Sequence, residues 1–234
     1  MSVVSKLGSR NIYHRILLIV SLLIVVLVSS FAVYLFVAND SFDGTNNSNG
    51  VVYVKSEGEL VKAIDNAKMD VSVMIIFDND IDLTAPITIP AHKNITLTSN
   101  IDSTFKLVGA DYKSTLFVQT DGILILDDIV VTHKKGCEGR GVFVSRGGQL
   151  FLLSGKICGN AATSKDSIYV GDGFGGGVDN QGVFEMHGGE ISGNKAYWSG
   201  GGVYNWNGVF NRYGGTVTGN SASLKNSNNV YNKT

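Results

Sequence analysis

The chain has 234 residues, of which 29 are glycine and only 2 are proline, and its net charge at pH 7 is −1. The scarcity of proline, together with 44% hydrophobic residues, excludes a collagen-like chain and a disordered one. A nearly neutral chain lacks the basic excess of nucleic-acid-binding proteins, so we predict no nucleic-acid partner. The glycines are unevenly placed, since only 6 of the 29 precede residue 130.

The N-terminal segment has the pattern of a membrane anchor. Residues 1–15 carry Lys6, Arg10 and Arg15, whereas residues 16–38 contain no charged side chain. A helix of that length, rising about 1.5 Å per residue, spans a hydrocarbon core of about 30 Å. Because basic residues favour the cytoplasmic side, we predict a cytoplasmic segment at 1–15, a transmembrane signal anchor at 16–38 and an extracellular remainder.

A cleaved secretory signal is the alternative interpretation of this segment. Ser30, Phe31 and Ala32 have the small-residue spacing of a signal peptidase site, although the apolar run continues beyond them. Cleavage would make the protein secreted rather than single-pass at the cell membrane. In either case, residues 39–50 are predicted to be a polar linker and residues 51–234 an extracellular domain.

A short helix is predicted near the start of this domain. Ser56 and Glu59 have capping-box spacing, and apolar residues follow at helical intervals. We expect this helix to cover the open N-terminal end of the domain. Short β-rich runs separated by Asp, Asn, Thr and Gly come next; they are Val73–Phe77, Ile87–Ile89, Ile95–Leu97, Phe105–Val108, Leu116–Val118, Leu124–Leu126 and Ile129–Val131.

Residues 139–234 contain a glycine-rich repeat. Copies begin at Gly139, Gly175 and Gly200; each starts with G-x-G-V and ends with Ile or Val, any residue, Gly and Asn. Each copy holds short β runs that alternate apolar and polar residues, with glycine or asparagine at the corners. A period of about 25 residues without a helix-length segment indicates a solenoid and is too short for a propeller blade.

The predicted fold is therefore all-β, a parallel β-helix solenoid of about seven coils, with a short N-terminal capping helix and one preceding transmembrane helix. Equivalent residues of successive copies would stack in columns that point into the solenoid. These columns are Val178 with Val203, Phe184 with Phe210, and Ile157 with Ile191 and Val217.

Asparagine and cysteine also recur at particular places in the repeat. Asn160, Asn194 and Asn220 fall at one corner and are predicted to form a structural asparagine ladder. Cys137 and Cys158 lie nearly one coil apart, which fits either a disulfide in an oxidising exterior or two partly buried thiols. No histidine has metal-ligand spacing to another histidine or to a cysteine, so we predict no metal and no cofactor.

The segment Gly175–Asn194, GGGVDNQGVFEMHGGEISGN, resembles the repeats of right-handed parallel β-helix surface proteins. These are the adhesin-like and pectin-lyase-like proteins of bacteria and archaea. The resemblance covers Gly139–Asn220 strongly and Val51–His133 loosely. It implies the right-handed parallel β-helix fold and leaves the function open, because that fold carries polysaccharide lyases, glycoside hydrolases, tail spikes and binding stalks.

An enzymatic alternative, a polysaccharide lyase or a glycoside hydrolase, depends on few residues. Asp127 and Asp128 are the only adjacent acidic pair. Neighbours on a strand point to opposite faces, so these two would not serve one site unless a turn intervenes. The candidates for the calcium-binding carboxylates and the arginine base of a lyase are Asp172, Asp179, Arg140 and Arg146.

Aromatic residues are concentrated around the third copy of the repeat. Exposed Trp and Tyr on a regular β surface suit stacking on sugar rings or packing on a partner protein. The same residues could instead cover the C-terminal end of the solenoid. The candidate ligand-binding residues are Tyr197, Trp198, Tyr204, Trp206 and Tyr213.

These features together suggest a membrane-anchored, extracellular, adhesin-like β-helix that binds a cell-surface glycan or protein and has no enzymatic activity. Polysaccharide cleavage is the first alternative. A truncated fragment of a longer adhesin is the second, because residues 229–234 resemble the start of an unfinished copy.

Overall fold

The computed structural model describes residues 50–101, 103–163, 173–224 and 227–233. Those ranges contain one α-helix and the strands β1 to β22, numbered in chain order. The predicted cytoplasmic segment, the transmembrane anchor and nearly all of the linker fall in residues 1–49, outside the described residues. None of the described ranges holds a helix with the length and hydropathy of a membrane span.

Sheet A has seven strands, which pair in parallel with one strand added by each turn of the chain. These strands are β1 (Val51–Val54), β2 (Ser72–Phe77), β5 (Asn94–Ser99), β8 (Ile123–Asp127), β11 (Gln149–Leu152), β15 (Val183–Met186) and β19 (Val209–Arg212).

Sheets B, C and D are also parallel. Sheet B contains β3 (Ile81–Asp82), β6 (Lys106–Gly109), β9 (Val130–His133), β12 (Lys156–Cys158), β16 (Glu190–Ser192) and β20 (Thr216–Thr218). Sheet C contains β4 (Ile87–Ile89), β7 (Leu116–Val118), β10 (Val142–Val144), β14 (Val178–Asn180), β18 (Val203–Trp206) and β22 (Val230–Lys233). Sheet D contains β13 (Ala161–Ala162), β17 (Lys195–Ala196) and β21 (Ser221–Ala222).

The order of these strands defines a parallel β-solenoid of about seven turns. The chain passes from sheet A to sheet B to sheet C and then returns to sheet A one layer further along. In the last three turns, a strand of sheet D lies between sheets B and C. The predicted parallel solenoid and its number of coils are therefore confirmed, whereas the right hand of the coil stays a prediction.

Apolar side chains that point into the solenoid stack from turn to turn. Leu124, Leu150 and Phe184 are neighbours in register on sheet A, and all three are fully buried. Burial of each such side chain contributes about 1.5–3 kcal/mol, so the columns are the main source of stability. The register confirms the predicted columns, namely Val178 with Val203, Phe184 with Phe210, and Ile157 with Ile191 and Val217.

Helix α1 spans Glu57–Asn66 and begins with the predicted capping box. The hydroxyl of Ser56 accepts from the backbone N–H of Glu59 at 3.4 Å, and Oε2 of Glu59 accepts from the N–H of Lys55 at 2.7 Å. The helix contacts β1, a strand that the sequence analysis did not predict. Its buried face joins the hydrophobic core through Leu60, Ala63 and Ile64.

The first residues of each glycine-rich copy lie at a corner where successive turns approach closely. Gly175 has φ +59°, and a β-carbon there would lie 2.6 Å from the carbonyl oxygen of Val178. A β-carbon at Gly177 would lie 2.6 Å from the carbonyl oxygen of Gly202. Glycine avoids both collisions and adopts the positive φ of Gly175 without strain, which explains the two glycines of the G-x-G-V motif.

Candidate functional site

The structure joins the three predicted ladder asparagines at the corner between sheets B and D. Nδ2 of Asn160 donates to Oδ1 of Asn194, and Nδ2 of Asn194 donates to Oδ1 of Asn220, both at 2.9 Å. Asn229 extends the ladder, because its Oδ1 accepts from Nδ2 of Asn220 at 3.1 Å. The three predicted asparagines are buried, so these bonds satisfy amides that water does not reach.

His133 stands at the other end of the ladder. Its Nδ1 lies 2.8 Å from Oδ1 of Asn160, and its Nε2 lies 3.0 Å from the carbonyl oxygen of Lys113. Both neighbours are acceptors, and the ring donates to the one that faces its protonated nitrogen. The ring is buried where β-carbons at Gly109 and Gly139 would collide with it. The sequence analysis gave His133 no role.

A second amide pair lies at the end of sheet C strands. Nδ2 of Asn180 donates to Oδ1 of Asn205 at 2.6 Å, and Nδ2 of Asn205 donates to the carbonyl oxygen of Gly208 at 3.0 Å. Both asparagines are buried. The sequence analysis missed this pair, although a shared Val-x-Asn in the second and third copies marks it.

Cys137 and Cys158 both carry free thiols. Cys158 is half-buried on β12, and this burial raises the pKa of its thiol above the ordinary 9.0. A thiol with a raised pKa stays protonated near neutral pH and is a weak nucleophile. Within the described ranges, no three His, Cys, Asp or Glu side chains are grouped as metal ligands.

Asp127 and Asp128, the adjacent acidic pair, accept hydrogen bonds from different partners. Oδ1 of Asp127 accepts from the hydroxyl of Ser154 at 2.7 Å. Oδ1 of Asp128 accepts from the hydroxyl of Thr104 at 2.9 Å. A turn does intervene, since Asp128 has φ +49°, and there the pair organises the corner between sheets A and B.

Two of the lyase candidates form a buried ion pair with each other. Nη1 of Arg140 donates to Oδ2 of Asp179 at 2.6 Å, and the two side chains are 8% and 1% exposed. The guanidinium of Arg140 also lies over the ring of Phe143, 5.4 Å from its centroid. Arg146 is exposed in the turn after β10, and Asp172 lies outside the described residues.

The five candidate aromatic residues lie on two different surfaces. Tyr204 and Trp206 belong to β18 of sheet C, and Tyr197 and Trp198 follow β17 of sheet D directly. Tyr213, in contrast, follows β19 of sheet A. The candidates therefore divide into a group of four beside sheet C and one residue on sheet A.

Tyr204 points away from the coil, as its position in the repeat indicates, but its predicted exposure is wrong. Only 4% of it is accessible, because neighbouring rings cover it. Its ring centroid lies 4.6 Å from that of Phe174, 5.6 Å from that of Tyr231 and 6.4 Å from that of Trp206. Burial, followed by the negative charge of Asp179, raises the pKa of Tyr204 above 10.0. Tyr204 thus packs against the neighbouring rings.

The other rings beside sheet C are held in place and remain partly accessible. Trp198 is 39% exposed, and the ring of Tyr197 meets it edge-on at a centroid distance of 4.5 Å. The ammonium of Lys233 lies 5.4 Å from the centroid of the Trp206 ring. Cation–π and edge-on contacts of this kind limit the motion of the two indoles.

Sheet A carries a further row of rings, which we call the ring column: Phe151, His187 and Tyr213. Centroids of Phe151 and His187 lie 6.5 Å apart, and those of His187 and Tyr213 lie 4.9 Å apart. Oε2 of Glu185 lies 3.1 Å from Nε2 of His187. Only Tyr213 was proposed as a ligand contact from the sequence, although aligned copies place Phe151 outward as well.

A shallow hollow of about 190 Å³ lies between α1 and β4. It is lined by the apolar side chains of Ile64 and Ile87 and by the carboxylate of Asp65. No basic side chain lines it. The hollow thus lacks the paired acid and base groups of a polysaccharide-cleaving site.

No family model, no curated protein and no solved structure matches this chain. The resemblance to right-handed β-helix surface proteins therefore depends on the sequence pattern itself, which covers Gly139–Asn220 strongly and Val51–His133 loosely. The structure adds the parallel solenoid that this resemblance implied.

Proposed function

We propose that this chain is a membrane-anchored extracellular β-solenoid that binds a glycan or a protein of a cell surface without catalysing a reaction. The observation that carries the proposal is the exposure of large aromatic side chains on a rigid coil. Trp198 is 39% exposed and Tyr213 is 65% exposed, both in the last turns of the solenoid. Such rings present an apolar face and a polar edge to a partner.

The alternative role of these rings, covering the end of the solenoid, applies to part of the group. Tyr204 is nearly inaccessible and contributes ring packing. Trp198 and Tyr213 keep a large accessible surface, in contrast to Tyr204. Exposed apolar area of this kind favours a binding surface.

The anchor is proposed from the sequence. Residues 16–38 form an uncharged apolar run that follows Arg15 and precedes Asp40. An anchored solenoid would hold its binding surface at the cell exterior, where several weak contacts act together.

The binding proposal is tested with fluorescently labelled full-length protein, intact cells and isolated envelope fractions. We expect wild-type protein to bind saturably, and we expect Trp198→Ala combined with Trp206→Ala to reduce the affinity about tenfold. Tyr112→Ala is the matched control, because Tyr112 is 71% exposed on an early turn. Unchanged binding by the double variant, or no binding by the wild type, would contradict the proposal.

The anchor is tested by cell fractionation. We expect the wild-type chain to remain in the membrane pellet after carbonate washing. Leu23→Arg combined with Val26→Arg places two charges in the apolar run and should release the chain, because a central arginine costs about 2.5–3.5 kcal/mol. A wild-type chain found only in the soluble cytoplasmic fraction would exclude the anchor.

A further inference from the structure

The outer face of sheet A carries many apolar and aromatic side chains. Along β8, β11, β15 and β19, alternate residues point outward, and the parallel register stacks them in three columns. Seven of these twelve outward side chains are aliphatic, Phe or Tyr, and polar side chains lie among them in each column. The twelve residues, which we call the sheet A face, are Ile123, Ile125, Asp127, Gln149, Phe151, Leu153, Val183, Glu185, His187, Val209, Asn211 and Tyr213.

The ring column crosses three successive turns of this face obliquely, because Phe151 lies in register with Glu185 rather than with His187. The ring centroids of Phe151 and His187 lie 6.5 Å apart, and those of His187 and Tyr213 lie 4.9 Å apart. Tyr213 is 65% exposed at the end of the column, and Leu153 beside the column is 42% exposed. The column is thus a row of rings that a ligand can reach from solvent.

The charges of the sheet A face exclude one class of ligand. Its only acidic residues are Asp127 and Glu185, and it contains no Lys or Arg. A polyanion such as a uronate polymer or a nucleic acid would meet repulsion there without a compensating cation. Arg212 of β19 lies in register with the buried Met186 rather than on this face. Lys156 of sheet B lies 3.1 Å from Glu190. The sheet A face therefore suits an uncharged ligand.

Two amides on this face are available for hydrogen bonding. Gln149 and Asn211 point outward beside the ring column, and neither side chain is hydrogen-bonded to another described residue. Each amide offers two donors and one carbonyl acceptor. Hydroxyl groups at the edges of a sugar ring can bond to such amides while the ring stacks on an aromatic face.

We infer that the sheet A face binds a neutral polysaccharide that lies along the ring column. This inference rests on the proposed function and specifies a ligand class for one of its two aromatic surfaces. Anchors of protein interfaces are enriched in Trp, Tyr and Arg, and this face offers only Tyr213 among them. An elongated, shallow platform with amides beside it matches a chain of uncharged sugars, in which several weak contacts add along the polymer.

The test measures binding of soluble polysaccharides to the immobilised full-length protein by biolayer interferometry. The probes are a neutral glucan, a neutral mannan and polygalacturonate as the anionic comparison. We expect at least one neutral polymer to bind more tightly than polygalacturonate. Phe151→Ala combined with Tyr213→Ala should weaken that binding about tenfold or more, because two stacking contacts are lost.

The matched control is Tyr112→Ala, which removes a ring that is 71% exposed outside the sheet A face. We expect this control to retain neutral-polymer binding within about twofold. If the ring-column variant keeps neutral-polymer binding, the inference is overturned, and a loss of envelope binding by Trp198→Ala combined with Trp206→Ala would leave the proposed function standing on the other surface. If no polysaccharide binds but envelope protein does, the inference is likewise overturned and the proposed function survives.

A second variant tests the charge argument without removing a ring. Asn211→Lys introduces a cation on an exposed edge strand, where the fold tolerates substitution. We expect it to raise affinity for polygalacturonate about tenfold, with circular dichroism showing an unchanged fold. Tighter binding of polygalacturonate than of either neutral polymer by the wild-type protein would overturn the inference.

Discussion

The early turns, β1 to β9, and the glycine-rich turns, β10 to β22, build the same coil with different corner residues. Both stack aliphatic side chains in inward columns. Among the described residues, five of the six non-glycine residues with positive φ precede residue 130, whereas nearly all glycines with positive φ follow it. The inward columns therefore define the coil, and the corners can be built in two ways. The early non-glycine corners are Asp70, His92, Tyr112, Asp121 and Asp128.

The two kinds of corner differ in how closely the turns approach. In the glycine-rich turns, backbone meets backbone and buried amides bond directly from one turn to the next. In the early turns, side chains such as Asp78 and Asn100 bond across more open corners, at 2.7 Å in this case. We therefore expect a buried core substitution to lower the free energy of unfolding equally in both regions. A corner substitution should lower it more in the glycine-rich turns.

The largest expected losses of unfolding free energy test whether core side chains contribute equally in the early and the glycine-rich turns. Leu124→Ala lies in an early turn and Leu150→Ala in a glycine-rich turn, and both residues are fully buried in one column. We expect each variant to lose about 3–4 kcal/mol of unfolding free energy in urea, followed by circular dichroism. A loss twice as large in one region as in the other would break the comparison.

The next effect tests the asparagine ladder. Asn194→Ala removes an amide that donates to the carbonyl of Ile157 and to Oδ1 of Asn220, both at 2.9 Å, and leaves buried partners unpaired. We expect a loss of about 2–3 kcal/mol in urea unfolding. Asn94→Ala is the early-turn control, since its bond to Ser72 is solvent-exposed, and it should lose less than about 1 kcal/mol. Equal losses of unfolding free energy would show that the buried ladder contributes no more stability than an exposed hydrogen bond.

A smaller effect tests the close approach at the glycine corners. Gly176→Ala would force a methyl group against two carbonyl oxygens, so we expect a loss of about 2 kcal/mol. Gly58→Ala is the control in α1, where a β-carbon meets nothing within 4 Å, and helix propensity predicts a gain of about 0.5–1 kcal/mol. Thermal unfolding of both variants measures the difference, and a neutral Gly176→Ala would contradict it.

The smallest effect is a dependence on pH. Desolvation opposes ionisation of Glu57, but bonds from the backbone and hydroxyl of Thr84 and the backbone of Ala85 lower its pKa below 4.5. Bonds from Ser192 and Lys156 lower the pKa of Glu190 likewise.

Because both carboxylates have a lowered pKa in the folded protein, their stabilisation is present above pH 4.5 and is lost as the pH falls through the folded pKa. The urea midpoint at pH 7 and at pH 3.5 measures this. Glu57→Gln should reduce the change in midpoint more than Glu190→Gln, since Glu57 ties a helix to the coil through two backbone N–H groups. Glu190→Gln with the larger reduction would be the contrary result.

Much of the fold was predictable because its determinants are local. Alternation of apolar residues placed Phe184 and Ile191 inside, and capping-box spacing located α1. The recurrence of Asn194 and its equivalents indicated the ladder. Its ends were missed, because His133 precedes the first copy and Asn229 stands at a position that is glycine in the other copies.

Tyr204 shows why the candidate site was harder to predict. Strand alternation correctly turned it outward, but accessibility depends on Phe174 and Tyr231, which come from neighbouring turns. The ring column was equally hidden, since Phe151 and His187 meet only when two turns stack in register. Contacts between turns have no signature in a single copy.

By itself, then, the amino-acid sequence determined the repeat, the inward columns and the glycine corners, because period-two alternation and the backbone freedom of glycine act within a few residues. Only the tertiary structure decided which outward side chains are accessible and which meet, as in the buried pair of Arg140 and Asp179. The physical reason is that these contacts form across stacked strands about 4.8 Å apart in space but a whole turn apart along the chain.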